Sequence, residues 1–358
     1  HAKPMGSLVN AFTFVDVRDF IDRTNKFLSL NKKNELEIMC EPKIDGLSIS
    51  LLYLNGSLIK AVTRGDGSIG EIVTENVKTI KDIPHTLLSK HPKFIEIRGE
   101  IFMNKENFNL LNQSQVAKAQ KIFATPRNAA AGSIRQKEVE TLKDRKLNFF
   151  AFSVGEFTND FIFETQEELL NNFRRMGLKI NDLNHKAKNF KELEAFYFDI
   201  LSKRNKLDYE IDGIVYKIDN INLQRRLGNL SRAPRWAVAH KLPPEIVETK
   251  ILNIETQVGR TGALTPVGKL EPIKVGGVIV SNVSLHNEDE ISRKDIRIGD
   301  TIKLQRAGDV IPKVIGVNLE KRSSNSKKYS PPEICPSCKS YTVKSPDEAI
   351  RRCTGGVI

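Results

Sequence analysis

The apolar and polar positions of this chain fall into two regions with different periodicities. Across the first two-thirds, period-two stretches are interspersed with helical ones. Leu47–Leu54 and Ser57–Thr63 read as strands joined at Asn55-Gly56, a dipeptide suited to tight hairpins because both residues tolerate positive φ. Phe94–Phe102 alternates as a strand, with Glu96, Arg98 and Glu100 on one face. Thr165 followed by Glu168 predicts a capping box opening a helix that runs to Met176 and stops at Gly177. A second helix is predicted after Asn189, carrying Leu193, Phe196, Tyr197 and Leu201. Ile211–Ile218 and residues 236–242 read as further strands. Helices that do not alternate regularly with strands predict an α+β domain rather than a doubly wound sheet.

Pro243-Pro244 marks a boundary. Beyond it come short strands at 251–258, 278–283, 301–306 and 314–317, separated by Gly-rich turns, the pattern of a small β-barrel. Residues 321–332, with their serines, lysines and paired prolines, read as a linker to a short cysteine-bearing tail. The expected domains are therefore 1–242, 243–330 and 331–358.

Composition narrows the function classes. A chain of 358 residues with 39% apolar content can bury two or three cores. Its 56 Lys and Arg against 44 Asp and Glu leave a formal charge of +12, which points to a polyanionic partner. Nucleic acid is favoured over membrane, because no stretch reads as a basic amphipathic helix. The richest apolar run, 275–283, is broken by Gly276, Gly277, Ser281 and Asn282 and falls far short of the roughly 18–20 residues a membrane span requires. Four cysteines do not make a disulfide framework, so a reduced, cytoplasmic setting is expected.

Candidate chemistry begins at Glu41-Pro42-Lys43-Ile44-Asp45-Gly46. In extended backbone alternate side chains share a face, so Lys43 can stand beside Glu41 and Asp45. Arg64 follows the hairpin and Glu100 lies in the next strand. Lys217 falls on the strand face of Ile211 and Val215, where a lysine is costly without a counter-anion, and Lys241 closes another strand. Lysines, arginines and carboxylates gathered in this way describe a pocket for a phosphorylated ligand.

The ordered set Lys43, Arg64, Glu100, Lys217 and Lys241 resembles the motifs of covalent nucleotidyltransferases. Longer stretches narrow the resemblance to bacterial NAD-dependent DNA ligases: 124–136, 232–237, 258–262, 284–287 and 306–312. It covers nearly the whole chain. The resemblance implies a nucleotidyltransferase domain followed by an OB-fold barrel and a partial zinc finger. Lys43 would attack the α-phosphate of NAD and hold AMP as a phosphoramidate, for sealing 5′-phosphate/3′-hydroxyl nicks in duplex DNA. Glu41, Arg64 and Glu100 match adenosine-contacting positions, Lys217 and Lys241 match lysines facing the phosphate, and Arg127, Arg135, Arg204 and Asp212 match further active-site positions. Ser7-Leu8 matches a short dinucleotide-contacting motif. Asp45 is expected to orient Lys43 or touch a metal. A free lysine is only about a thousandth deprotonated near neutral pH, and lowering its pKa by ~3 units takes about 4 kcal/mol. Lys217, Lys241 and bound Mg2+ or Mn2+ are expected to supply that by like-charge repulsion.

The barrel carries 14 basic and 11 acidic residues over 242–330 and one aromatic, Tyr329, so base stacking on single strands is not expected of it. Duplex contact through Arg260, Thr261, Arg306, Val310 and Ile311 fits better. Cys335-Pro336-Ser337-Cys338 is a C-x-x-C knuckle, and Cys353 follows after fourteen residues. These supply three of the four thiolates a structural zinc site needs, so weak or absent Zn2+ binding is expected. By the resemblance, the family's nicotinamide-recognising helical domain, helix-hairpin-helix region and BRCT region are expected to be missing from this chain, and it is expected to seal a pre-adenylated nick slowly while charging itself from NAD poorly or not at all. A monomer is expected. Two other readings stay open: an ATP- or GTP-dependent nucleotidyltransferase, and a non-enzymatic DNA-binding module built on the barrel and knuckle.

Overall fold

The computed structural model describes the chain apart from residues 2, 31–35, 137–139, 144, 231–232, 276–277, 308–310, 346–347 and 356–358, and apart from the side chains of 141, 143, 278, 306, 307 and 311. The chain divides into two compact units, His1–Pro243 and Pro244–Ile358.

In the first unit the strands are β1 (Val9–Ala11), β2 (Ile38–Ile44), β3 (Leu47–Leu54), β4 (Ser57–Thr63), β5 (Phe94–Phe102), β6 (Asn148–Phe157), β7 (His185–Ala187), β8 (Ile211–Ile218) and β9 (Ala237–Lys241). The helices are α1 (Phe14–Leu28), α2 (Thr74–Val77), α3 (Lys105–Ala117), α4 (Pro126–Ile134), α5 (Glu140–Lys143), α6 (Gln166–Arg175), α7 (Phe190–Lys203) and α8 (Ile221–Leu227). Two sheets form, in the orders β1-β9-β8-β2-β7 and β4-β3-β5-β6. The β3–β4 turn is the expected Asn-Gly one, with φ of 49° at Asn55 and 78° at Gly56.

Each sheet packs one face into an apolar core and carries polar side chains on the other. Ile49, Leu51, Ile95, Ile97 and Ile101 of the second sheet pack against Ala129 and Ile134 of α4 and Phe173 of α6. Ile38 and Cys40 of β2 and Ile214, Tyr216 and Ile218 of β8 pack with Val17 and Phe20 of α1 and Leu193, Phe196 and Ile200 of α7. The strand period of two then turns Glu41, Lys43 and Lys217 of one sheet, and Ser48, Ser50, Glu96 and Glu100 of the other, away from these cores. The sheets meet through these polar faces, where the Lys217 Nζ donates to the Phe152 carbonyl of β6 at 2.7 Å. Pro42 is tolerated inside β2 because pairing to β7 ends at Cys40, beyond which β2 has a neighbour on one side only.

Two details differ from the sequence expectation. Ile211 does not share a face with Lys217. Between β2 and β8 the register passes from Lys43↔Gly213 to Ile44↔Ile211, leaving Asp212 as an extra residue. This β-bulge reverses the alternation, sends Ile211 into the core and turns Asp212 toward Lys43. At the start of α6 the Thr165 hydroxyl does cap the Glu168 N–H at 3.0 Å, but the Glu168 carboxylate accepts from Glu164, one residue before the cap. The reciprocal half of the capping box is thus shifted by one residue.

The second unit comprises β10 (Ile246–Val258), β11 (Leu264–Val275), β12 (Val278–Ser284), α9 (Glu288–Arg293), β13 (Arg297–Ile298), β14 (Thr301–Ala307), β15 (Ile311–Val317), β16 (Lys327–Lys328), β17 (Thr342–Val343) and β18 (Arg352–Cys353). A five-stranded sheet of order β12-β11-β10-β14-β15 wraps around Ile251, Leu270, Val283, Ile302 and Leu304. Strand β11 was not legible, because Pro266, Gly268 and Pro272 read as turn residues. Pro272 falls where the ladder to β12 skips from Lys269 to Ile273. The stretch 321–332 is also not a free linker. Strand β16 pairs with β13, the Arg322 guanidinium reaches Asp300 at 2.9 Å, and the Tyr329 hydroxyl meets Thr256 at 2.8 Å.

The Phe149 ring lies over Gly99, where a Cβ would come within 2.2 Å of it, so the bare backbone and the large ring are one fitted pair. Phe149 is fully buried, and Phe149→Ala is expected to cost about 3–5 kcal/mol by cavity formation, read as a lowered urea midpoint.

Candidate active site

Lys43, Gly213 and Lys241 occupy one transverse row of the first sheet, on β2, β8 and β9. A Cβ at Gly213 would come within 2.6 Å of the His240 carbonyl, so the row closes up only around glycine. Next to Gly213, the bulged Asp212 sets its carboxylate between the two lysines. Lys43 Nζ lies 3.0 Å from Oδ1 and Lys241 Nζ lies 2.7 Å from Oδ2. Burial alone would raise the Asp212 pKa, but the combined pull of Lys43 and Lys241 outweighs it and holds the carboxyl below its ordinary value.

Deeper in the cleft, Lys217 pairs with Glu41 at 2.8 Å, both side chains being 6% exposed. Gln166, at the first turn of α6, donates to Glu41 and to the Phe152 carbonyl, each at 3.0 Å. Burial drives Glu41 up and Lys217 down, and their mutual attraction opposes both shifts. Of the two lysines expected to crowd Lys43, Lys217 is matched to Glu41, as a buried lysine requires, and Asp212 stands between Lys43 and Lys241. On the facing sheet Glu100 accepts from the Ser48 hydroxyl at 2.7 Å. Its pKa is pushed up to about 7 by burial, against the pull of that hydrogen bond and of Lys43 and Arg127. Arg127 of α4 meets Asp45 at 3.0 Å, and the Arg64 N–H donates to the Ser48 carbonyl at 3.0 Å, beside the Ser48–Glu100 pair. A face of three lysines sharing two carboxylates, opposite Glu100 and the arginines, keeps a positive charge and can take a nucleotide, its phosphate at the lysines.

Known proteins share both parts of the chain. The family profile of the NAD-dependent DNA ligase adenylation domain matches residues 1–245, and that of the NAD-dependent DNA ligase OB-fold domain matches 248–326. The chain belongs to the NAD-dependent DNA ligase family. A DNA ligase of Bartonella tribocorum is 50% identical over 369 residues, and one of Xanthobacter autotrophicus is 52% identical over 365 residues. Both alignments cover 100% of this chain and 51% of the relative, so the chain spans about half the length of the curated relatives it matches. A solved Lig E DNA ligase aligns over 87% of this chain and 99% of its own with a TM-score of 0.44 at 12% identity, too loose a likeness to carry an argument.

The remaining candidate residues of this ligase-family chain belong to other segments of the fold. Arg135 pairs with Glu71 at 2.6 Å on the surface, and Arg204 donates to the Pro243 carbonyl at 2.8 Å, at the last residue of the first unit. Ser7 and Leu8 lie on the segment leading into β1. In the barrel, Arg260 and Thr261 sit in the turn closed by the Gly262 N–H to the Gly259 carbonyl at 2.9 Å. Arg306 and Ile311 belong to β14 and β15, but their side chains, and all of Val310, lie outside the described residues. The thiols of Cys335, Cys338 and Cys353 lie within 4.8 Å of one another. Hydrogen bonding from Ser340 holds the Cys338 thiol down at about 6, and three converging thiols with a ready thiolate fit a zinc ion. The knuckle is joined to the barrel: the Cys353 N–H donates to the Gly262 carbonyl at 2.9 Å, and Arg351 meets Glu288 of α9 at 3.1 Å. No helix among the described residues is long and apolar enough to cross a membrane.

Sequence reasoning missed Gln166, the Phe152 carbonyl and the paired serines. Ser48 and Ser50 were findable, since they break the apolar run of β3 at alternate positions. Gln166 carried no local signal, because its partners are distant in the chain.

Glu100 generates a pH prediction. Below its ordinary value of 4.5 the carboxyl is protonated folded or unfolded. As pH rises toward about 7 the unfolded chain ionises while the folded site keeps its proton, so stability falls by up to roughly 3 kcal/mol and then levels off. Glu100→Gln removes this loss. Its advantage over wild type in urea unfolding is expected to grow from pH 5 to pH 8, and a pH-independent difference would contradict the burial argument.

Proposed function

We propose that this chain carries the chemical centre of a DNA ligase that joins 5′-phosphate and 3′-hydroxyl ends at nicks in duplex DNA, using NAD as the AMP donor. The observation that carries the reading is the meeting of Lys43 and Lys241 on the single Asp212 carboxylate. An anionic phosphate entering there offers both lysines a second counter-ion. The Lys43 amine attacks the α-phosphorus of NAD; a P–N bond forms, the pyrophosphate P–O bond breaks, and nicotinamide mononucleotide leaves. The Asp212 carboxylate is placed to receive the proton that Lys43 sheds, and Lys241 stabilises charge on the transferring phosphate. A DNA 5′-phosphate then displaces Lys43 from AMP, and the 3′-hydroxyl attacks the resulting adenylated end, releasing AMP and leaving a phosphodiester.

Glu41, Lys217, Glu100, Arg64, Arg127, Ser7 and Leu8 bind and orient the adenylate, with Arg135, Arg204 and Asp212 supporting the cleft. Magnesium or manganese would neutralise phosphate charge, and Asp45, an oxygen ligand at the cleft beside Arg127, is the side chain that would hold it. Cys335, Cys338 and Cys353 would supply three thiolates to a structural zinc. Arg260 and Thr261, with Arg306, Val310 and Ile311, form the DNA-facing part of the barrel. The protein is proposed to act as a monomer in the bacterial cytoplasm.

The decisive experiment is labelling with NAD, ATP and GTP in parallel, followed by intact mass measurement. Any AMP adduct from NAD is expected to form slowly on wild type, and none is expected on Lys43→Ala. Adduct formed at the wild-type rate by Lys43→Ala would refute the nucleophile, labelling from ATP or GTP alone would place the chain in another class of nucleotidyltransferase, and no covalent nucleotide from any donor together with no sealing of a pre-adenylated nick would favour a binding module.

A further inference from the structure

Residues 3–8 cross from one sheet to the other. At one end the crossing is fixed by β1, which pairs in parallel with β9 so that Val9 lies opposite Val238 and Ala11 opposite His240. At the other end it lies on the polar face of the second sheet. There the Arg98 Nη1 donates to the Pro4 carbonyl at 3.1 Å, the Arg98 Nη2 donates to the Lys3 carbonyl, and the Met5 N–H donates to the Gly67 carbonyl at 2.8 Å. Ser7 and Leu8 stand between these two anchors.

Arg98 is itself held. Its Nε and Nη2 both meet Glu96 Oε1 at 3.2 Å. Glu96 is 1% exposed and accepts from the Ser50 hydroxyl at 2.7 Å and from the Glu156 N–H at 3.3 Å. Gly155 leaves the room this carboxylate occupies, since a Cβ there would come within 2.4 Å of Glu96 Oε2. Burying a carboxylate beneath an arginine is costly and contributes little net stability compared with an apolar contact of the same volume. Here the ion pair also fixes the direction of a planar fork whose remaining N–H groups point at two successive carbonyls. A lysine, with one compact ammonium, cannot reproduce that fork.

We infer that Arg98, braced by Glu96 and Ser50, is a positioning residue: it fixes the strap carrying Ser7 and Leu8 against the nucleoside end of the adenylate site. It therefore governs nucleotide affinity rather than the phosphoryl-transfer step at Lys43. The inference rests on the ligase reading given above for the identity of the bound nucleotide.

The test compares wild type, Arg98→Met, Arg98→Lys and Glu96→Gln on the full chain. Three quantities are read: amide hydrogen exchange over residues 3–8, AMP binding by equilibrium dialysis, and the KM and kcat of self-adenylation from NAD. Arg98→Met is expected to speed exchange in the strap, weaken AMP binding about tenfold and raise KM to match, as expected for loss of charge-assisted hydrogen bonds. Its kcat should be nearly unchanged, and Arg98→Lys should recover part of the affinity. If Arg98→Met does not fold, Glu96→Gln, which keeps the shape but loosens the brace, should show the same pattern more weakly. A strap that stays protected overturns the inference, as does a freed strap with unchanged AMP binding, or a fall in kcat at constant KM. If wild type binds AMP but neither forms an adduct from NAD nor seals a pre-adenylated nick, the ligase reading fails while the AMP comparison still decides the role of Arg98. Absence of AMP binding by wild type overturns both.

Discussion

Two ammonium groups on one row of a sheet require an anion between them. At an effective dielectric of about 20, like charges ~4 Å apart repel by roughly 4 kcal/mol, and in this protein the carboxylate of Asp212 replaces that repulsion by two attractions. A regular strand could not place it there. Asp212 follows Ile211 and precedes Gly213, and in unbroken alternation it would point into the core. One extra residue in β8 reverses the alternation locally and turns it toward the lysines. The chemistry of the cleft thus depends on a defect of pairing, and the glycine beside the defect lets the neighbouring strand stay close.

The two-sheet framework supplies the rest. Helices cover one face of each sheet, and the opposite faces keep their polar groups in internal pairs: Lys217 with Glu41, Ser48 with Glu100, Ser50 with Glu96. A buried ion pair of the Lys217–Glu41 kind adds little to stability, because desolvation offsets most of its Coulombic gain. Its retention in a cleft makes sense as preorganisation: these groups already have fixed directions before a ligand arrives, and little reorganisation remains to be done.

Local signals carried much of the fold. The Asn55-Gly56 turn, the strand of Phe94–Phe102, the Asn189 cap and the Pro243-Pro244 break all depend on neighbours in sequence, and each can be read residue by residue. What escaped was set by distant partners. Strand β11 hid behind two prolines that the barrel accommodates, one of them at an irregular step of its ladder. The stretch 321–332 has the composition of a linker, yet Arg322 and Tyr329 find partners across the barrel. In the candidate site the identities of Lys43, Lys217 and Lys241 were legible because lysines on strand faces need anions. Which anion each would meet was not, because the bulge that moves Asp212 has no sequence signature.

The bond between the Cys353 amide and the Gly262 carbonyl links two features that look separate along the chain. The peptide unit beside one sulfur is hydrogen-bonded directly to the bend bearing Arg260 and Thr261. That bend is therefore tied to the sulfur cluster as well as to the strands on either side of it. The knuckle serves as a backstop for a barrel loop, held along its edge by a second backbone bond from the Leu264 N–H to the Arg351 carbonyl at 2.9 Å.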